Sequence, residues 1–241
     1  MRQSGQPPDL PAAQSSGAEP ATSARLAAVA FDMDGLLVDS EPLWFLAESA
    51  VMARLGGDFG PADQYPLVGG SLAVTVEYLL AKASRPAAPA VVARWLIESM
   101  VAQVSTQPLA VLPGAASLLA EVRAAGLPCA LVTSSVPAVV DAVLARLDVR
   151  FEVVVGGADV ARTKPDPEGY LLAAEKLGAD PRRCIALEDS PNGVAAAEAA
   201  GYRVVAVPSV VPVPDRPGRV VLGTLAGVTL AELRAWTELG G

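Results

Sequence analysis

Ala28-Val29-Ala30-Phe31-Asp32-Met33-Asp34-Gly35 is the stretch that decides the fold. Small and β-branched apolar residues end abruptly in two carboxylates spaced by one residue, then a glycine. A strand buried on both faces reads as such a run, and open α/β sheets bind ligands beyond the carboxyl ends of their strands. Two acids at that position can converge only if the chain turns, and Gly35 permits the turn because it lacks a Cβ. Asp32 and Asp34 therefore sit at a sheet mouth, suited to metal binding or phosphoryl chemistry. In isolation Asp-x-Asp-Gly is also ordinary turn chemistry, so the remaining strand ends have to decide.

Composition narrows the options. The 241 residues suffice for one α/β domain with an insert. The sequence is 52% hydrophobic but only 5% aromatic, so its core must be built from Ala, Val and Leu. A net charge of −8 argues against a nucleic-acid partner. No apolar run approaches a membrane span, so no membrane partner is expected. Residues 1–24, rich in Pro, Ala, Ser and Gln, read as a disordered tail without the apolar centre of a signal peptide. Cys129 and Cys184 stand in apolar strand-like surroundings, which suggests free thiols in a reducing cytoplasm. The chain contains no histidine. That removes histidine-based nucleophile systems and histidine zinc sites, and leaves acid–base work to carboxylates, Lys, Tyr or Cys.

Along the chain, helical patterns are predicted at Leu43–Leu55, Leu72–Ala83 and Val91–Val104, with no strand between Glu41 and Pro108. Beyond Val111 strands and helices alternate. Strands are predicted at Pro128–Thr133, Phe151–Val155, Cys184–Leu187, Arg203–Val207 and near Val220–Leu222. Pro137–Leu147 is a predicted helix, with Ser135 or Val136 near its N-cap. Another opens at Asp166-Pro167-Glu168, read as an N-cap acid followed by proline at the first helical position. Thr229 and Glu232 form a predicted capping box for the last helix. Such alternation predicts a doubly wound parallel sheet of Rossmann-like α/β class, interrupted by an inserted all-helical cap. The expected division is a core of residues 25–41 and 109–241, with a cap at 42–108.

Three more strand ends carry polar groups. Thr133-Ser134-Ser135 offers hydroxyls and backbone N–H groups suited to a phosphate oxygen. Lys164 lies between Thr163 and Pro165 in a loop. Glu188-Asp189-Ser190-Pro191-Asn192-Gly193 closes a second acidic strand. Each alone is ordinary capping or surface chemistry. Together, at one edge of one sheet, they describe a site. Asp32 and Asp189 supply hard oxygens suited to Mg²⁺, which is usually completed by water and substrate phosphate. Thr133 and Lys164 would hold the remaining phosphate oxygens.

Phe31 to Trp44 (FDMDGLLVDSEPLW) and Leu187 to Gly193 (LEDSPNG), with Thr133 and Lys164 between them in order, resemble the haloacid dehalogenase superfamily over roughly Val29 to Val207. Helices inserted straight after the first motif resemble the cap of the subgroup that contains β-phosphoglucomutase and small sugar-phosphate phosphatases. The resemblance implies that Asp32 is a nucleophile forming an aspartyl-phosphate, and that Asp34 is the general acid and base. It implies phosphoryl binding by Thr133, Ser134 and Lys164. It also implies a Mg²⁺ site of Asp32, the Asp34 carbonyl and Asp189, supported by Glu188.

Departures from the subgroup narrow the substrate. β-Phosphoglucomutases carry a histidine after the first motif, a cap arginine, and a basic residue past the second motif. The matching places here hold Trp44, Leu72 and Val136, so a distal phosphate lacks charge partners and mutase activity is disfavoured. An apolar and aromatic cap face is expected, read by Leu43, Trp44, Gly70, Ser71 and Leu72. The expectation is a monomeric, cytoplasmic phosphatase of a sugar or sugar-alcohol monophosphate. The alternatives are a nucleotidase, a phosphoglycolate phosphatase, a mutase or a non-catalytic binding module.

Overall fold

A computed structural model describes residues 26–238; the expected tail lies outside them. The chain opens with β1 (Ala28–Phe31), β2 (Val38–Asp39) and α1 (Glu41–Arg54). Three helices follow, α2 (Pro61–Gln64), α3 (Leu72–Lys82) and α4 (Pro89–Thr106), then β3 (Ala110–Val111) and α5 (Ala115–Ala124). Next come β4 (Cys129–Val132), α6 (Pro137–Leu147), β5 (Val153–Val155) and α7 (Glu168–Leu177). The chain continues through β6 (Cys184–Glu188), α8 (Pro191–Ala199), β7 (Arg203–Ala206) and β8 (Arg219–Val221) to α9 (Leu230–Glu238).

Six strands form one parallel sheet in the order β5-β4-β1-β6-β7-β8. β1 is central, and Phe31 is in register with Leu131 of β4 and Leu187 of β6. Strand order reverses at β1, the kind of switch point where open α/β sheets bind ligands. In consequence Asp32, Thr133 and Asp189 emerge side by side.

Alternation along β1 sorts the two faces. Val29 and Phe31 point into a cluster of large apolar side chains from α5, α6 and α9. Ala28 and Ala30 point into the other face, which α7 and α8 cover with Ala, Val and Tyr170, joined by Tyr202 just before β7. Small strand residues on that face bring α7 and α8 close, and with them Tyr170 and the loop that carries Lys164.

The inserted helices build a core of their own from Val51, Met52, Leu55, Val76, Leu79, Val92 and Leu96. Their lower turns do not stop at the expected boundary, because Leu43, Ala47, Met100 and Val104 join the sheet's core. α1 and α4 are thus rooted in the sheet domain and project out of it. At their root, β2 and β3 pair antiparallel, a ribbon too short to leave a periodic signal in the sequence.

One local expectation needs correction. Asp166 is not the N-cap of α7; that position is Pro167, although Asp166 Oδ1 still accepts from the Glu168 N–H at 3.0 Å. Of the two residues expected near the N-cap of α6, Val136 takes the position without a side-chain bond, and Ser135 precedes it. Its hydroxyl is used elsewhere. The capping box of α9 forms as read, with Thr229 N–H on Glu232 Oε2 at 2.8 Å and Glu232 N–H on Thr229 Oγ1 at 3.3 Å.

Candidate active site

The sheet mouth turns back on itself immediately after β1. Gly35 adopts φ +79°, its N–H bonds Val38 O at 2.9 Å, and a Cβ there would lie 2.0 Å from Asp189 Oδ2. Glycine is therefore required twice over, for the left-handed backbone and for the approach of the second acidic strand. Gly193 on α8 serves likewise, since a Cβ would lie 2.0 Å from Glu188 Oε2.

Asp32, Glu188 and Asp189 come together, with one carboxylate oxygen from each lying within 4.8 Å of the others. All three are buried. Lys164 reaches into the group and donates to Asp32 Oδ1 at 2.5 Å, Glu188 Oε1 at 2.6 Å and Val132 O at 2.8 Å. Glu188 Oε1 also accepts from the Tyr170 hydroxyl at 2.6 Å, and its Oε2 accepts from the Asp189 N–H at 3.2 Å. Ser209 donates to Asp189 Oδ2 at 2.5 Å.

One ammonium faces three carboxylates in a desolvated space, and the acidities follow. Burial drives the Asp32 carboxyl well above the usual range; Lys164 opposes this, while Glu188, Asp189 and Asp34 reinforce it. Burial and Glu188 push Asp189 up to about 8. For Lys164, burial works against the charged form, but Asp32 and Glu188 outweigh it and its pKa rises. Ionised together, the three carboxylates would carry more negative charge than Lys164 can balance, on hard oxygen donors. That donor set fits a divalent cation.

Asp34 stands apart from this cluster. Ser40 Oγ donates to its Oδ1 at 2.6 Å and the Trp44 indole N–H to the same oxygen at 3.2 Å. Ser135 Oγ donates to Oδ2 at 2.8 Å, with Thr133 Oγ1 at 3.3 Å. Four donors thus hold this carboxyl group at the mouth, beside the metal-type cluster and outside it. Ser134 Oγ is buried with no hydrogen-bond partner among the described residues, as a hydroxyl reserved for a ligand oxygen would be.

The helical insert roofs this space. Trp44, Gly70, Ser71 and Leu72 line the cleft as expected. Leu43 does not; it is only 3% exposed, within the sheet-domain core on another face of α1. The roof is also less apolar than the sequence suggested, because Glu41, Glu48, Gln64 and Thr75 line it. Burial, then Asp34 and Asp39, raise Glu41 to about 7, and burial with Glu41 raises Glu48 to about 8. Cap and core touch where Asn192 Nδ2 donates to Gly69 O at 3.3 Å, close to Asp189.

A family model described as haloacid dehalogenase-like hydrolase matches residues 26–201. The chain belongs to the haloacid dehalogenase-like hydrolases. Among curated relatives of this hydrolase, hexitol phosphatase B of Escherichia coli (strain K12) is 37% identical over 224 residues, covering 91% of this chain and 99% of the relative. Protein CbbY of Rhodobacter capsulatus is 33% identical over 195 residues, covering 76% and 86%. Among solved structures, CbbY from Rhodobacter sphaeroides in complex with phosphate superposes with a TM-score of 0.80 at 31% identity, covering 86% of this hydrolase and 99% of that chain.

Motif reading found the residues that end strands and missed those that support them. Ser40 sat inside a quoted motif with no role assigned, and Ser135 was read for capping or a phosphate oxygen, not as a donor to Asp34. Tyr170 looked like helix core and Ser209 like loop. Only packing joins them to Glu188 and Asp189.

Proposed function

We propose that this hydrolase is a Mg²⁺-dependent phosphatase of sugar or sugar-alcohol monophosphates that works through an aspartyl-phosphate on Asp32. The observation that carries the reading is the division of labour between the two first-motif acids. Asp32 lies in the carboxylate–lysine cluster, while Asp34 is held a residue away by hydroxyl and indole donors. A nucleophile and a separate acid–base group are what two-step phosphoryl transfer needs.

In this account Asp32, Asp189 and the Asp34 carbonyl hold Mg²⁺, with Glu188 supporting the shell. The ion supplies charge screening for an anion attacking an anion. Lys164, Thr133 and Ser134 bind the non-bridging phosphoryl oxygens and fix them for in-line attack. Asp32 attacks phosphorus as Asp34 gives its proton to the leaving alkoxide. Asp34 then takes a proton from water as it opens the aspartyl-phosphate, which releases phosphate and restores Asp32. The cap excludes bulk water during transfer, and Trp44, Gly70, Ser71 and Leu72 meet the leaving group.

A monophosphate is favoured over a bisphosphate or a carboxylated substrate, because the roof presents Glu41 and Glu48 where a second anion would need cations. Among the described residues no helix is long and apolar enough to cross a membrane. With the acidic net charge, this supports a cytoplasmic enzyme acting on small molecules, which we take to be a monomer. A panel of phosphorylated metabolites at fixed Mg²⁺ tests the reading. Hexose and hexitol monophosphates should lead, with turnover abolished by EDTA; preference for nucleotides, phosphoglycolate or a bisphosphate would overturn it.

A further inference from the structure

Glu48 has no assignment in the chemistry above, and its surroundings do not explain it. The residue is 3% exposed, and its Oε2 has no hydrogen-bond partner among the described residues. A buried polar atom left unpaired is destabilising, because it has given up water for nothing. An interior carboxyl retained under that penalty is a candidate for ligand contact. Its neighbours are engaged otherwise. Gln64 Nε2 donates to the Glu41 carbonyl and carboxylate at 2.7 and 3.1 Å.

Position says what the ligand atom is. Glu41, Trp44 and Glu48 recur at helical spacing on the cleft-facing side of α1. Trp44 donates to Asp34, so Glu48 lies one helical turn, about 6 Å, further from the proton-transfer site. That is the region of the leaving group's far end.

We propose that Glu48 is a specificity-determining residue that reads a hydroxyl on the distal carbons of a neutral polyol phosphate. The proposal rests on the phosphatase reading above and sharpens it. A carboxyl kept neutral by burial both donates to one hydroxyl and accepts from another, which suits a polyol. A substrate ammonium would instead require the ionised form.

The test compares hexitol 6-phosphate with n-hexyl phosphate, which has the same length without hydroxyls, and with a 2-amino-2-deoxyhexose 6-phosphate. Wild type should favour the hexitol ester over the alkyl ester in kcat/KM. Glu48→Leu should shrink that preference at least about tenfold, since a site built for a hydroxyl discriminates strongly against its absence. Glu48→Gln, which keeps one donor and one acceptor, should retain most of the preference at neutral pH. Equal losses on both esters in Glu48→Leu would make Glu48 structural and overturn the proposal. Collapse in Glu48→Gln, with the amino sugar preferred by wild type, would overturn it in favour of a cationic ligand. If wild type hydrolyses neither hexose nor hexitol monophosphates, the phosphatase reading itself fails. Wild-type turnover of the hexitol ester without a Glu48 effect removes this inference alone.

Discussion

Gly193→Ala sets helix propensity against the geometry of the acidic cluster. Alanine in place of a helical glycine ordinarily gains up to about 1 kcal/mol, and Gly193 lies within α8 at an ordinary helical backbone. Its new Cβ, however, would fall 2.0–2.1 Å from three atoms of the Glu188 carboxylate. That carboxylate has no easy retreat, being held by Lys164, Tyr170 and the Asp189 N–H. Displacing it breaks a buried ion pair, which costs about 3–5 kcal/mol. The clash wins, and a net loss of roughly 2–4 kcal/mol corresponds to a fall in Tm of roughly 5–15 °C for a chain of this size. Calorimetry reads the stability, and Mg²⁺ titration of p-nitrophenyl phosphate hydrolysis reads the site, where half-saturation should move to higher Mg²⁺. A Tm equal to or above wild type, with unchanged Mg²⁺ dependence, would refute the reasoning.

Other perturbations follow from the same contacts. Glu48 has its carboxyl raised from 4.5 to about 8 by burial and Glu41. Its contribution is therefore fully present below the unfolded value and is lost as pH rises through the folded one. Glu48→Gln should match wild type near pH 4 and exceed it at pH 9 by up to about 5 kcal/mol in denaturant unfolding; a wild-type advantage at pH 9 would contradict this. Trp44→Phe keeps an aromatic ring but removes the donor to Asp34. It should depress all substrates together by about tenfold in kcat/KM, the scale of one hydrogen bond to a charged group, and a change confined to bulky sugar phosphates would argue for recognition instead. Gly69→Ala places a Cβ 2.6 Å from Ser190 Cβ at a φ of +68°. It should hold the cap off the core and raise KM for sugar phosphates, and unchanged kinetics would show that this contact does not matter.

How far the sequence could be read depended on how local each determinant was. Asp32, Thr133 and Asp189 follow strands whose apolar runs are visible, so the register of β1 with β4 and β6 assembles them, and Lys164 joins from the loop before α7. Glu48 was illegible for the opposite reason. On a helix, an acid seven residues after Glu41 looks like a solvated face, and only the packing of α3 and α4 over α1 buries it. Tyr170 was hidden because a buried aromatic on α7 reads as core; its hydroxyl matters only once Glu188 arrives from β6. Leu43 was misplaced because motif proximity suggested the cleft, whereas helical spacing sets it with Ala47 against the sheet.

The central claim is that phosphoryl transfer passes through Asp32 with Asp34 as the group that opens the intermediate. The most direct test incubates Asp34→Asn with a ³²P-labelled hexitol monophosphate and Mg²⁺, quenches in acid and maps the labelled peptide. The account predicts slow but persistent label on the peptide containing Asp32, absent from Asp32→Asn. Label on another residue, or undiminished phosphate release from folded Asp32→Asn, would contradict it.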